Sequence, residues 1–288
     1  MNLPACKPRP WRCGDRVLGG DRPLIMGILN VTPDSFHDGG KHASVDEAVR
    51  HAEAMLEAGA DILDVGGESS RPGAEAVLEE EELARIRPVV GALVRRFNCA
   101  VSIDTVKSEV ARAALEEGAC IINDISAMAF DPMMLEVPQA FRAGVVLNHM
   151  QGTPNDMQKA PAYGDPVAEV AAFLKGRVQL LAAMGLSADH IAVDPGIGFG
   201  KRVNDNYALI DNLEALDPIG CPILLGVSRK SFISKTPGLE HSDRLQPSVA
   251  LAVFAALKGV SILRVHDVRE TREALTMVAA VRGTGSGN

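Results

Sequence analysis

No apolar run in this 288-residue chain approaches the ~20 residues that cross a bilayer, so no membrane association is expected. The first stretch, M-N-L-P-A-C-K-P-R-P-W-R, has no apolar segment of the kind a secretory signal requires. A cytoplasmic protein is the natural expectation. Cysteine is sparse and scattered: Cys6, Cys13, Cys99, Cys120 and Cys221 include no C-x-x-C pair and have no histidine pair nearby. That excludes a zinc framework and a disulfide scaffold, and it predicts small buried core residues in a reducing compartment. Positive charge is also short, with 29 Lys and Arg against 37 Asp and Glu, a net charge of -8. Non-specific nucleic-acid binding is therefore not expected. An anionic ligand would have to meet a local basic cluster set in a negative background.

The nucleotide-binding loops are missing as well. D-P-G-I-G-F-G-K, residues 194–201, has the glycines and the lysine of a phosphate cradle, but Pro195 stands where the first glycine of a P-loop belongs and Arg202 where its hydroxyl belongs. The dinucleotide fingerprint fails too, because Lys201 takes the place of its third glycine.

What is present is a repeat. L-E-A-G-A-D-I-L-D-V, L-E-E-G-A-C-I-I-N-D, F-R-A-G-V-V-L-N-H and L-K-G-V-S-I-L-R-V each join the end of an amphipathic segment to a glycine and a short apolar run. Such a glycine reads as a left-handed helix terminator, and the apolar run as a strand buried on both faces. Eight strands are expected, near residues 24–29, 61–66, 99–103, 119–123, 144–148, 190–194, 222–226 and 261–265. Ser44 with Glu47 and Asp267 with Glu270 have capping-box spacing, and Asp165-Pro166 reads as N-cap and first helical residue. Val45, Ala48, Val49, Ala52 and Leu56 keep the 3.6-residue period of a core-facing stripe. The expected fold is an α/β (β/α)8 TIM barrel spanning 23–283, with an N-terminal extension over 1–22 that forms a hairpin across the barrel bottom and a flexible tail over 284–288. An open doubly wound sheet is the other arrangement this alternation permits.

In such barrels chemistry gathers at the C-terminal ends of the strands. Those ends carry Asn30; Glu68, Ser69, Ser70 and Arg71; Asp104; Asn123 and Asp124; His149; Asp194; Ser228, Arg229 and Lys230; and Arg264 with His266. Strands leaving a core end in turn-forming polar residues in any case. That bland rule does not produce two carboxylates facing several cations, nor two long glycine-rich insertions, N-V-T-P-D-S-F-H-D-G-G-K and G-G-E-S-S-R-P-G-A, at one end of a barrel. Arg71, Lys230, Arg264 and His266 suit a phosphate or carboxylate. Asp104, Asn123 and Asp194 suit a planar heterocycle with adjacent N–H donors. Asn30 offers one oxygen to a Mg²⁺ held mainly by phosphate and water. D-P-G-I-G-F-G-K would then be a heterocycle-binding turn whose glycines let backbone approach a flat ligand. Several rim residues also have structural readings: His149 as a packed histidine, Met150 and Phe199 as plain core, Asp124 as a loop-orienting partner, and Glu79 to Glu82 as a solvated acidic face at a helix start.

At these residues the chain resembles the dihydropteroate synthases of the pterin-binding barrel family. The shared motifs are M-G-I-L-N-V-T-P-D-S-F-H-D-G-G, D-V-G-G-E-S-S-R-P-G-A, S-I-D-T, I-N-D-I-S, H-M-Q-G-T-P, D-P-G-I-G-F-G-K, G-V-S-R-K-S-F and R-V-H-D-V, over residues 15 to 283. The resemblance implies a transferase of folate biosynthesis that joins 4-aminobenzoate to 6-hydroxymethyl-7,8-dihydropterin diphosphate by an SN1-like substitution. It implies that Asp104, Asn123, Asp194 and Lys230 grip the pterin edge, with Met150, Phe199 and Arg264 packed beside it. Asn30 with Mg²⁺, Ser70, Arg71, Arg264 and His266 would hold the diphosphate. Phe36, Ser70, Pro72, Lys230 and Ser231 would frame the aminobenzoate, Ser231 at a helix N-terminus. Asp38 and Asp104 would face the cationic centre, completing a catalytic set with Lys230, Arg264 and His266. A homodimer and inhibition by sulfonamides follow from the same likeness.

The chain departs from the family at Ser70, where threonine is common, at Ile197 in place of a frequent Phe, and at Pro247, where glycine is usual at the start of the seventh helix. Two other activities share the acid constellation: a pterin-binding methyl-transfer barrel, which should lack S-S-R-P and S-R-K-S, and a non-catalytic pterin-binding homologue, which would tolerate loss of Asn30, Arg71 or His266.

Overall fold

The computed structural model describes residues 8–31, 41–70 and 73–283, with only the backbone given for 41–44. Phe36, Asp38, Arg71, Pro72, Cys6 and the tail 284–288 lie outside the described residues.

Eight parallel strands form one sheet in the order β8-β7-β6-β5-β4-β3-β10-β9. They are β3 (Leu24–Asn30), β4 (Ile62–Gly66), β5 (Ala100–Asp104), β6 (Ile121–Asp124), β7 (Gly144–Asn148), β8 (Ile191–Asp194), β9 (Leu224–Leu225) and β10 (Ile262–Val265). The ring closes where Val193 of β8 donates to the Pro222 carbonyl at 2.9 Å and bridges Ile223 in parallel. The closed barrel is thus the observed arrangement, and the open sheet is excluded. Around it run α1 (Lys41–Glu57), α2 (Glu79–Arg96), α3 (Ser108–Glu116), α4 (Val137–Phe141), α5 (Pro166–Ala183), α6 (Val203–Asp211), α7 (Leu245–Leu257) and α8 (Val268–Val281).

Two local expectations need correction. Helix α1 already includes Lys41, so Ser44 lies inside it and not at its cap. Asp267 precedes α8 but makes no side-chain cap bond, because Arg229 takes its carboxylate in a two-point ion pair. Asp165 does cap α5, accepting from Val167 and Ala168 at 3.0 Å, with Pro166 as first helical residue. Among the four terminator glycines, Gly59, Gly118 and Gly259 take positive φ. In F-R-A-G the left-handed residue is Arg142, and Gly144 instead opens β7, where an added Cβ would lie 2.5 Å from Cys13 Sγ.

Strand side chains alternate between the two faces of the sheet, and in a barrel this separates bore from helical shell. Ile62, Ala100, Ile121, Val146, Ala192, Leu224 and Ile262 form one apolar layer inside the bore. Beneath it sits an antiparallel hairpin, β1 (Trp11–Cys13) and β2 (Arg16–Leu18), whose fully buried Trp11 joins that layer and donates its indole N–H to the His190 carbonyl at 2.8 Å. The alternate residues, such as Leu63, Val65, Ile103, Ile122, Leu147 and Val193, pack outward against the helices. Cys13 and Cys221 are buried core residues, but Cys99 and Cys120 are only half-buried.

Candidate active site

One step of two residues further along each strand, the bore changes character. The residues two beyond Ile62, Ala100, Ile121, Val146, Ala192, Leu224 and Ile262 are Asp64, Ser102, Asn123, Asn148, Asp194, Gly226 and Arg264. The strand period alone therefore sets a polar floor on an apolar plug. Arg264 Nε donates to Asp64 Oδ2 at 2.6 Å, its Nη2 donates to Asp104 Oδ2 at 2.6 Å, and Asn123 Nδ2 donates to Asp64 Oδ2 at 3.0 Å. Asn148 Nδ2 is held by the Ile125 carbonyl at 2.9 Å. Asp64 Oδ1 and Ser102 Oγ, on residues paired in the β4–β5 ladder, are buried without a hydrogen-bond partner among the described residues.

Gly226 measures the convergence of the acid and the two cations. A Cβ built there would lie 3.8 Å from Arg264 Cβ, 3.8 Å from Lys230 Nζ and 4.0 Å from Asp194 Oδ2. The three groups thus open onto one space. Gly66 does the same on the other side of the mouth, with Asn30 Oδ1 at 3.6 Å and Asp104 Cβ at 3.7 Å from its notional Cβ. Lys230 Nζ lies 4.5 Å from the centre of the Phe199 ring and donates to the Ile197 carbonyl. His266 is exposed at the rim, with Nδ1 3.0 Å from Ser228 Oγ. Met150 is half-buried just after β7. A cavity of about 620 Å³ opens beside the floor, and its lining includes Ser70, Asp104, Lys107 and Phe130.

Burial dominates the titration of this layer. It pushes Asp104 up to about 7 although Arg264 pulls the other way, and it raises Asp194 against the pull of Lys230. It brings Lys230 down to about 8, with Asp194 resisting. Burial also opposes the charge of Arg264, but the carboxylates of Asp64 and Asp104 outweigh it and hold the guanidinium charged.

D-P-G-I-G-F-G-K follows β8, and the amides of two of its glycines are already committed. Gly196 N donates to Asp194 Oδ1 at 2.7 Å and Gly198 N to Asn206 Oδ1 at 2.7 Å. Lys201 is buried and folds back onto the His149 and Phe199 carbonyls at 3.2 and 3.0 Å. A P-loop cradle is not formed, since the Gly196 and Gly198 amides and the Lys201 ammonium are all turned to protein acceptors. The expected close approach of these glycines to a flat ligand is corrected for two of them, Gly196 and Gly200. A Cβ on Gly196 would fall 1.8 Å from the His149 carbonyl oxygen and one on Gly200 2.3 Å from that of Gln151. Gly196 and Gly200 let the turn seat on the loop after β7, while a Cβ on Gly198 would lie 3.2 Å from the Lys230 side chain.

Other expectations are settled by packing. His149 is structural: its Nδ1 lies 3.0 Å from Lys201 Nζ, its ring meets Phe173 edge-on at 4.9 Å, and burial next to Lys201 lowers it to about 3. Asp124 orients its loop by accepting from the Ser126 amide and hydroxyl, both at 2.7 Å. The acidic run is not wholly solvated, because Glu82 is fully buried and paired with Lys107. No α-helix starts at Ser231; the chain makes only a three-residue 3-10 turn, Ile233–Lys235, before α7. The helix dipole expected there is therefore absent. Pro247 is the third residue of α7, in the first turn where amides have no helical acceptor, so it leaves the helix intact. Sequence reasoning missed Asp64, Glu82, Lys107 and Lys201. For Asp64 the available signal was a carboxylate inside an otherwise apolar strand, I-L-D-V-G.

The comparisons with known proteins agree with this geometry. Residues 26–266 match the family model described as pterin binding enzyme. The chain is 48% identical over 258 residues to the dihydropteroate synthase of Escherichia coli strain K12, covering 90% of this chain and 91% of that protein. Among solved structures, the dihydropteroate synthase of Xanthomonas albilineans with 4-aminobenzoic acid superposes with a TM-score of 0.89 at 46% identity, covering 96% of this chain and 99% of that one. The Burkholderia cenocepacia enzyme complexed with 7,8-dihydropteroate does so with a TM-score of 0.87 at 45% identity, covering 96% and 98%. With this likeness along nearly its whole length, and with the barrel floor described above, the chain belongs to the pterin-binding enzyme family, among the dihydropteroate synthases.

Proposed function

We propose that the polar floor receives the pterin ring and that the rim above it draws off a diphosphate, so that the chain joins 6-hydroxymethyl-7,8-dihydropterin diphosphate to 4-aminobenzoate and releases 7,8-dihydropteroate. The observation that carries this reading is the meeting of Asp194, Lys230 and Arg264 around Gly226 in a buried, one-sided mouth. Asp194, Asp104 and Asn123 offer acceptors and an amide to the ring edge. Phe199, Met150 and the Arg264 stem give it flat walls. Asn30, Arg71, Ser70 and His266 take the diphosphate, and Phe36, Ser70, Pro72, Lys230 and Ser231 the aminobenzoate. Asn30 brings an amide oxygen, a hard ligand suited to Mg²⁺, to the rim beside Asp104. A bound Mg²⁺ would supply positive charge to the departing diphosphate.

Bond breaking precedes amine attack in this scheme. Cations at the rim stabilise the leaving group, while Asp104 and Asp38 stabilise positive charge on the pterin methylene. No covalent enzyme intermediate forms. The S-S-R-P and S-R-K-S elements together with Asn30 and His266 favour this reaction over methyl transfer or mere pterin binding. The barrel over 23–283 carries the chemistry, with the described part of the N-terminal extension, 8–22, below it as a bottom piece. The working form is a cytoplasmic homodimer joined through α7, whose sequence L-Q-P-S-V-A-L-A-V-F-A-A-L buries only Ser248, Ala252 and Ala255 against its own barrel. An apolar groove of about 600 Å³, lined by residues including Tyr207, Phe232 and Leu251, runs beside that helix. Sulfonamides would compete at the aminobenzoate position.

The test is diphosphate release measured with and without 4-aminobenzoate. Turnover should require the amine, and release that ignores it would overturn the reading. A second prediction concerns pH. Lys230 keeps its ammonium below about 8, so pterin affinity measured by calorimetry should fall above that pH. In Lys230→Gln the affinity should be weaker and lose this alkaline fall. A flat profile through pH 8 in the parent protein would remove Lys230 from the pterin edge.

A further inference from the structure

Between α2, the turn after β5 and the start of the second loop lies a charged cluster to which no chemistry has been given. Lys107 Nζ donates to Glu68 Oε2 and to Glu82 Oε2. Glu82 has a side chain only 1% exposed, its Oε1 lacks a hydrogen-bond partner among the described residues, and burial raises it against the pull of Lys107. Burial alone would lower Lys107, but its bonds to the two glutamates raise it, so the ammonium stays charged. Glu68 reaches across its own loop, where Oε1 accepts from the Val77 amide at 3.3 Å. One residue earlier, the Gly67 carbonyl accepts from Arg85 Nη1 of α2 at 2.7 Å. Gly67 is seated so tightly on that helix that an added Cβ would lie 2.6 Å from Ile86 Cγ2. Farther along, Gly73 N donates to the Pro154 carbonyl at 3.0 Å.

Glu68 adjoins Ser69 and Ser70 in the chain, and Glu68, Ser69, Ser70 and Lys107 all line the 620 Å³ cavity beside Asp104. A lysine shared by two carboxylates, one buried in α2 and one on the loop, fixes the loop to the short turn that follows Asp104 at the end of β5. We propose that Lys107 is a positioning residue: through Glu68 it sets the place of Ser69 and Ser70 against the pterin floor, and so the seat of the second substrate. The cluster touches no reacting atom. Its effect is on substrate placement, where errors near an ångström are costly. The proposal rests on the reading above that Ser70 helps frame the aminobenzoate.

The experiment compares Lys107→Met, Glu68→Gln and Lys107→Arg with the parent protein. Three quantities are measured: the KM for 4-aminobenzoate, the affinity for 6-hydroxymethylpterin by calorimetry, and hydrogen–deuterium exchange over residues 67–78. Lys107→Met and Glu68→Gln should raise the KM about tenfold and speed exchange in that segment, with pterin affinity changed less than twofold. Lys107→Arg should restore most of the parent KM. Should Lys107→Met fail to fold, Glu68→Gln decides, because it leaves the Lys107–Glu82 pair intact. Parallel loss of pterin affinity would overturn the proposal, as would unchanged exchange in 67–78. If exchange rises but the parent protein shows no amine-dependent diphosphate release, Lys107 still fixes the loop, while the assignment of a substrate seat falls together with the reading of the reaction.

Discussion

Replacing Arg264 with Met should cost about 3–5 kcal/mol of stability, the range for breaking a buried ion pair from one side, and lower Tm by roughly 10 °C. Arg264 satisfies two carboxylates at once, Asp64 on β4 and Asp104 on β5, both at 2.6 Å. Asp64 is fully buried and Asp104 is 9% exposed, so neither can turn to solvent when the guanidinium goes. The loss must depend on pH, and its sign can be worked out. Burial holds Asp104 near 7 even with Arg264 in place, and without that cation it rises further, away from its unfolded value near 4. A carboxyl whose folded pKa is raised binds protons more readily folded than unfolded, so its charge-burial penalty is full above the folded pKa and relieved below it. The gap between variant and parent should therefore be widest near pH 8.5 and much narrower near pH 5.5. Arg264→Lys should lie between the two, because one ammonium cannot span both acids as the fork does. Thermal melts at the two pH values check this. A gap that stays constant would mean that the penalty is lost packing and not stranded charge.

Why was this pair invisible beforehand when the barrel was not? The strands announce themselves through local pattern: an apolar run, a glycine before it, a polar residue after it. Those signals lie within ten residues of one another, and all eight observed strands fall within two residues of the expected ends. The shortest, Leu224–Leu225, lies inside the run 222–226, in part because Pro222 has no N–H to give the ladder. Arg264 and Asp64 are 200 residues apart. No local period connects them; they meet only because each lies two residues beyond an inward-facing isoleucine when the ring closes.

Glu82 shows the same limit at shorter range. Four glutamates in a row look alike as composition, and three of them are exposed. Only Glu82 is in phase with Ile86, Val89 and Leu93, the buried stripe of α2, and this signal was available in the sequence. Its partner Lys107 was not legible, because the turn after β5 approaches α2 only in the assembled shell. The rim residues themselves were legible as a set, since strand ends in a barrel must converge. How the glycines of 194–201 are used was not, because a close contact with backbone and one with a ligand demand the same residue.

Asp194→Asn should abolish pterin binding while barely changing the fold. In the protein, Asp194 Oδ1 accepts from the Gly196 amide at 2.7 Å, and Oδ2 faces the space shared with Lys230 and Arg264. A ring edge with adjacent N–H groups needs acceptors there, and a carboxylate provides them without presenting a proton of its own. The amide of Asn can keep its oxygen toward Gly196, and then its NH₂ points into the mouth, donor against donor. Turning it over restores an acceptor for the ligand only by breaking the Gly196 bond. Either arrangement leaves a buried polar group unpaired, and sites of this kind reject the wrong hydrogen-bonding partner by about 10⁴-fold or more. The loss of charge acts in the same direction, because Asp194 resists the fall of Lys230, so the ammonium beside Phe199 would deprotonate at a lower pH. Shape is conserved, however, and burial already raises Asp194 above the ordinary carboxylate range, so removing its charge relieves part of the desolvation cost of folding. Calorimetry with 6-hydroxymethylpterin and a thermal melt separate the two effects: binding should vanish while Tm moves by only a few degrees. Retained affinity would place the ring elsewhere in the mouth, and a collapse of Tm would make Asp194 a structural acid.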